Sequence, residues 1–330
     1  MNSMKDLVPI PDGPEADSLT KPNGIGPQSD ADKDWQICQG IMQHRGGVLI
    51  KQISRRLNEH WIVELKGERL VLRGYPPTPL GDIAYELEVL RRLRKEGWPV
   101  PSLAEEPVHV NGRTWCLFTM LRGECRPATA GAMEGRTRGQ LLAQLHHSTS
   151  CLADMEQRKG FSSSDLFLND PELITALRAY EGIRPREGHI LRWHFDWATA
   201  AFASINTKAS EMIVLHGDFA RWNLLFEGER LTGILDFEAT HLNHRVADFA
   251  LSWRGEQDEL IQGYQEVFPL SELDWQLLVP CYWAWLFFGI RNEIQAMLAG
   301  KIPVHEFNWQ VGHLLRRSPM LAERMPPYPR

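Results

Sequence analysis

The chain has 330 residues, 43% of them hydrophobic, enough for two lobes or two small domains with buried cores. Its formal net charge of -6, from 36 Lys and Arg against 42 Asp and Glu, supplies no electrostatic footprint for nucleic acid. Five cysteines (Cys38, Cys116, Cys125, Cys151, Cys281) are odd in number and lack paired metal-ligand spacing, which points to reduced thiols in a cytoplasmic protein.

Residues 1–33 carry Pro9, Pro11, Gly13, Pro14, Pro22, Gly24, Gly26 and Pro27 without apolar periodicity and read as a flexible leader. They hold no basic-then-apolar signal, so secretion is not expected. Residues 60–65 and 69–73, around Lys66-Gly67-Glu68, predict a two-stranded hairpin that ends at Arg73. Over 82–97, Ile83, Leu87, Leu90 and Leu93 recur at helical spacing, and Trp98-Pro99-Val100-Pro101 closes that helix. Its run Arg91, Arg92, Arg94, Lys95 reads as a solvated face. Residues 115–123 form a short apolar strand stopped by Gly123, and 136–148 a helix with Leu141, Leu142, Leu145 and His146.

The most informative stretch follows. Val214-Leu215 precede His216-Gly217-Asp218, Asn223 comes five residues after Asp218, and Ile234-Leu235-Asp236-Phe237-Glu238 follows a polar turn around Gly228. If 224–235 is a hairpin, Asp236 returns to the end where Asn223 starts. Such a set suits phosphoryl transfer, with Asp218 as the base that orients an acceptor hydroxyl and Asn223 and Asp236 as oxygen ligands for Mg²⁺. The apolar run 278–290 contains Pro280 and is too short to span a bilayer, so it reads as a buried helix. There is no internal repeat, no Gly-Lys-Ser/Thr phosphate loop and no Gly-x-Gly-x-x-Gly.

The pattern His216-Gly217-Asp218, then Asn223, then Leu235-Asp236-Phe237 resembles the aminoglycoside phosphotransferase and choline kinase family of small-molecule kinases. Protein kinases carry Arg, Lys and Gly where this chain has Gly217, Ala220 and Glu238. The resemblance implies an α+β, bilobal, protein-kinase-like fold: a small antiparallel-sheet lobe over 34–123 with its hinge near 118–123, and a mainly helical lobe over 124–330. It implies ATP and Mg²⁺ between the lobes and the hydroxyl of a small molecule as acceptor, with neither nucleic acid nor membrane as partner. Arg73 would hold nucleotide phosphates, paired with Glu86, with Glu88 as the less favoured alternative. The phosphate-covering turn would be 54–58, with Asn58 at its tip. Backbone groups from Phe118 to Met120 would meet the adenine edge, with Leu225 and Leu235 flanking the ring. Asp248, in Arg245-Val246-Ala247-Asp248-Phe249-Ala250, would brace the catalytic loop, and His216 reads as scaffold.

For the acceptor, aromatics between Trp253 and Trp285 and carboxylates between Glu256 and Glu293 suit an amine, as in amino alcohols or aminoglycosides. Trp283 with Phe287, and Trp285 with Phe288, read first as core. Arg291 would instead meet an acceptor carboxylate such as that of homoserine. Two other functions stay open: a kinase-like binding or regulatory protein without useful turnover, motivated by the missing glycine loop, and a metal-dependent hydrolase built on His216, Asp218 and Asp236, with His241 and His244 nearby.

Overall fold

Alternation along the strands decides which side of the N-terminal sheet each residue serves. The computed structural model describes residues 30–55, 58–127, 131–152, 154–252 and 257–301. Strands β1 (Val48–Arg55), β2 (Glu59–Leu65), β3 (Glu68–Gly74), β4 (Val108–Val110) and β5 (Arg113–Thr119) form one antiparallel sheet, ordered β1-β2-β3-β5-β4. Leu70, Leu72, Trp115 and Leu117 point to one face, where Cys38, Ile41 and Met42 of helix α1 (Asp30–His44) bury against them. Cys116 and Phe118 point to the other face, toward Val89, Leu90 and Leu93 of helix α2 (Ile83–Lys95). Arg73 pairs in register with Cys116 and therefore stands on the α2 side.

The β2–β3 turn uses Lys66 and Gly67 at φ 54° and 80°, the two successive positive values that a tight hairpin requires. Asp82 caps α2 by accepting from the Ala84 N–H at 3.2 Å. The helix α1 takes in residues 30–33 of the segment read as leader, while 1–29 lie outside the described residues. The turn read at 54–58 needs correction: Ser54 and Arg55 end β1, paired with His60 and Glu59, and Arg56 and Leu57 lie outside the described residues. Asn58 is described and buried.

The rest is mainly helical: α3 (Gly131–Ser150), α4 (Ser164–Phe167), α5 (Pro171–Ile183), α6 (Pro185–Ser204), α7 (Ala247–Ser252), α8 (Gln257–Val267) and α9 (Glu272–Leu298). Two small ribbons interrupt it. β6 (Glu124–Cys125) lies beside the hairpin β8 (Leu224–Glu227) and β9 (Arg230–Ile234), and β7 (Met212–Leu215) pairs with β10 (His241–His244). The predicted run 278–290 lies inside α9, with Trp283 and Phe287 fully buried. No helix among the described residues is long and apolar enough to cross a membrane. This is the α+β, two-lobed arrangement that the resemblance implied.

Candidate active site

The loop after β7 turns sharply because Gly217 takes φ 91°, and a Cβ there would stand 2.4 Å from the Ala239 carbonyl oxygen. Asp248 clamps the turn: its carboxylate accepts from the N–H groups of His216 at 2.9 Å and Gly217 at 3.0 Å. His146 Nε2 donates to the same carboxylate at 3.0 Å, and Tyr264 donates its hydroxyl to His146 Nδ1 at 3.0 Å. Burial pushes the Asp248 carboxyl up, but these bonds hold it below its usual range, as an anion. His216 has a defined neutral tautomer. Its Nε2–H donates to Leu235 O at 3.0 Å while Nδ1 accepts from the Asp218 N–H at 3.1 Å. Burial lowers its pKa, in keeping with that scaffolding role.

Asp218 is thereby presented at the mouth of the loop, half-buried. Asn223 donates its amide N–H to Asp218 O at 2.9 Å and to Asp218 Oδ2 at 3.1 Å, which makes its oxygen the atom it can offer a cation. The Leu235 N–H returns to Asn223 O at 2.8 Å, so the end of β9 is stitched to the loop that carries Asp218. The next residue, Asp236, adopts φ 64°, a left-handed conformation seldom taken by a residue with a side chain.

From the other lobe, Arg73 Nη1 donates to Glu86 Oε1 at 2.9 Å, both side chains buried. Glu88 belongs elsewhere, binding Arg91 and Arg92 at 2.7 Å on the outer face of α2. Arg73 Nη2 reaches Asp236 Oδ1 at 3.4 Å and Glu238 Oε2 at 3.0 Å, and Asn58 donates to Glu238. Burial and the neighbouring Asp236 charge raise the Glu238 pKa. A sequence profile of the phosphotransferase enzyme family (APH) matches residues 50–273. The chain belongs to this family. Homoserine kinase of Zymomonas mobilis subsp. mobilis is 25% identical over 211 residues, covering 58% of this chain and 62% of that protein, so the chain spans less than two thirds of that relative. A thermostable mutant of aminoglycoside phosphotransferase APH(4)-Ia, in complex with ADP and hygromycin B, shares the fold at 14% identity, with 79% of this chain and 91% of that one covered and a TM-score of 0.58. A microcompartment-associated aminopropanol kinase does so at 18% identity, covering 81% and 98%, with a TM-score of 0.58.

In this member of the phosphotransferase enzyme family the residues expected near adenine lie where the lobes join. Phe118 is a buried strand residue beneath α2, Met120 stands just past β5 with 40% of its surface exposed, and the Thr119 N–H between them is taken by Ser102 O at 2.9 Å. Leu225 and Leu235, both half-buried, lie on and just after the hairpin. His241 and His244 are spoken for. His241 donates to Ala239 O at 2.7 Å and meets Asn243 at 3.1 Å, while His244 meets Ser210 at 3.0 Å.

Arg158 escaped the sequence reading, being one basic residue in a polar loop. It is 2% exposed and reaches Asp82 O at 2.9 Å, Glu238 O at 2.6 Å, Thr240 O at 3.0 Å and Glu86 Oε2 at 3.6 Å, joining both lobes.

A cavity of about 310 Å³ opens on the far side of segment 236–241, with Ala239 in its wall. Ala239, in the cavity wall, is also the residue that a Cβ on Gly217 would strike, so Ala239 stands between the cavity and the loop that carries Asp218. Trp285, Phe288 and Arg291 line it as α9 residues, so Trp285 and Phe288 are walls rather than deep core. Phe161, Phe167 and Asp170 precede the motif and complete it. Of the carboxylates expected there, Glu266 pairs with Arg136, and Asp274 binds Arg245 and caps α9. Trp253 and Glu256 lie outside the described residues.

Proposed function

We propose that this protein transfers the γ-phosphoryl group of ATP, with Mg²⁺, to a hydroxyl of a small molecule such as an amino alcohol, an aminoglycoside, homoserine or a relative. The observation that carries the reading is an unbroken chain of contacts, Asp218 to Asn223, Asn223 to Leu235, Asp236 to Arg73, and Arg73 to Glu86. Two guanidinium groups, Arg73 and Arg158, stand against three carboxylates, Glu86, Asp236 and Glu238. That surplus of hard oxygen suits a magnesium–nucleotide complex better than a free anion. Asn223 and Asp236 would hold Mg²⁺, which supplies neutralisation of phosphate charge when bound.

The nucleotide lies between a lobe of residues 34–123 and a lobe of 124–330, its adenine edge on the backbone from Phe118 to Met120 and its faces on Leu225 and Leu235. Arg73, fixed by Glu86, turns from Asp236 and Glu238 toward the phosphates, and Asn58 closes over them. The acceptor hydroxyl lies against Asp218. As its oxygen bonds to the γ-phosphorus and the bond to the β-phosphate oxygen breaks, its proton passes to Asp218 and ADP leaves. No covalent enzyme intermediate is required. Positioning and charge neutralisation do most of the work.

Asp218→Asn keeps the shape of the loop and removes the base. Acceptor-dependent ATP consumption, measured against a panel of amino alcohols, aminoglycosides, homoserine, choline analogues and sugars, falls about 100- to 10,000-fold in this variant. Nucleotide affinity and melting temperature stay close to the parent's. Undiminished turnover by Asp218→Asn would overturn the assignment.

A further inference from the structure

We propose that Arg291 binds a carboxylate of the acceptor, so that the substrate is a small alcohol carrying a carboxylate group; this rests on the phosphotransferase reading above. Arg291 is built as a fixed fork. Its Nη1 donates to Asp170 Oδ2 at 2.6 Å, and Asp170 is itself anchored, its Oδ1 capping α5 through the Glu172 N–H at 2.9 Å. The guanidinium carbon lies 5.1 Å from the Phe167 ring centre and 5.2 Å from that of Phe288, a clamp that limits its rotamers. Among the described residues, Nε and Nη2 make only long 3.4 Å contacts, both to the adjacent Asn292 side chain. Arg291 lines the aromatic-walled cavity, and a held guanidinium with two weakly used donors suits a carboxylate.

Charge decides between acceptor classes. Among the described residues lining the cavity, Asp170 and Arg291 are the only Asp, Glu, Lys or Arg side chains. His241 in the same wall is held neutral: burial lowers its pKa, and its Nε2 accepts from Asn243 at 3.1 Å. A polycation would find one carboxylate, already committed to Arg291 and to a helix cap. An anionic group finds an arginine with donors to spare. A cavity of about 310 Å³ is at the small end for ligand sites and fits a metabolite of amino-acid size better than a multi-ring sugar.

The test uses the full chain with Mg²⁺ and a non-hydrolysable ATP analogue, and calorimetric titration with two matched sets. One is homoserine, 4-hydroxybutyrate (its amine removed) and 3-amino-1-propanol (its carboxylate removed). The other is serine, 3-hydroxypropionate and ethanolamine. In at least one set the carboxylate-bearing compounds bind at least tenfold more tightly than the decarboxylated one. Arg291→Met erases that preference, weakening the carboxylates about 10- to 100-fold while leaving the amino alcohol and nucleotide affinities unchanged. Arg291→Lys recovers part of it. Asp170→Asn keeps the helix cap and the preference. Equal or tighter binding of the decarboxylated compounds in both sets, or a preference that survives Arg291→Met, overturns the proposal. Asp218-dependent ATP consumption with an uncharged or cationic alcohol would then leave the phosphotransferase reading standing, whereas its absence with every acceptor would remove that reading instead.

Discussion

Segment 236–241 separates two faces of opposite chemical character. On the Arg73 side, Asp236 and Glu238 crowd with Glu86 around Arg73 and Arg158, and much of this charge is taken out of water. On the other side Ala239 and His241 look onto aromatic rings and a single Asp170–Arg291 pair. The first face is over-supplied with carboxylate and under-supplied with cation, which the proposed magnesium–nucleotide complex would complete. The second is balanced within itself and discriminates among ligands through which partner of its pair has donors left. A buried surplus of charge brings a ligand in, and a satisfied pair selects it.

The largest expected effect tests whether the charged face is held together by one side chain. Arg158→Met removes a buried guanidinium that serves the carbonyls of Asp82, Glu238 and Thr240 and stands 3.6 Å from Glu86. Leaving Glu86 and those carbonyls short of a partner costs about 3–5 kcal/mol of folding stability, read by urea denaturation. Mg²⁺–ATP affinity weakens too, because Glu86, the partner that fixes Arg73, loses the guanidinium on its other side. A loss under about 1 kcal/mol would show that the two lobes are joined by other contacts.

Asp248→Asn acts on the loop between the faces. The carboxylate now accepts from His216, Gly217 and His146, and an amide in its place turns an N–H₂ toward one of those donors. Stability falls by about 1–3 kcal/mol and turnover falls with it as Asp218 loses its setting. Acceptor affinity, which belongs to the other face, stays unchanged. If instead the carboxylate preference shifts in parallel, the two faces are coupled through this loop rather than independent.

What could be read from sequence follows the same division. Asp218, Asn223 and Asp236 lie within nineteen positions and sit on a strand–loop–hairpin whose turns announce themselves, so their proximity follows from local geometry. Arg73 and Glu86 are thirteen apart, on a strand and a helix with clean periodicities, and strand alternation alone puts Arg73 on the α2 face. The cavity has no such signal. Asp170 and Arg291 are 121 positions apart, and nothing in either neighbourhood foretells their pairing. Strand β10 reads His-Leu-Asn-His, with no apolar alternation to mark it, and forms because β7 offers a free edge beside the loop. Arg158 is legible only once the fold shows a guanidinium in a space that two carbonyl-rich segments share.

The smallest effect concerns protons and asks whether the faces yield together. Burial lowers the pKa of His216 behind the Asp218 loop and of His241 in the cavity wall. It takes His194, stacked 4.3 Å from Trp283, down to about 4, and His60, opposite Arg73 in the sheet, also to about 4 with the Arg73 charge assisting. Each of these side chains is harder to protonate folded than unfolded, where the value is 6.5. The stability they contribute is therefore complete above pH 6.5 and declines as the unfolded chain takes up protons that the folded one refuses, down to pH 4 for His194 and His60. At pH 6 His194 and His60 each cost about 0.8 kcal/mol, small beside the two substitutions above. His194→Gln removes one of these contributions, so its denaturation midpoint changes less steeply than the parent's between pH 6.5 and 4.5. Parallel slopes would mean that His194 takes its proton in the folded protein as readily as in the unfolded chain, and that its stacking on Trp283 survives the charge.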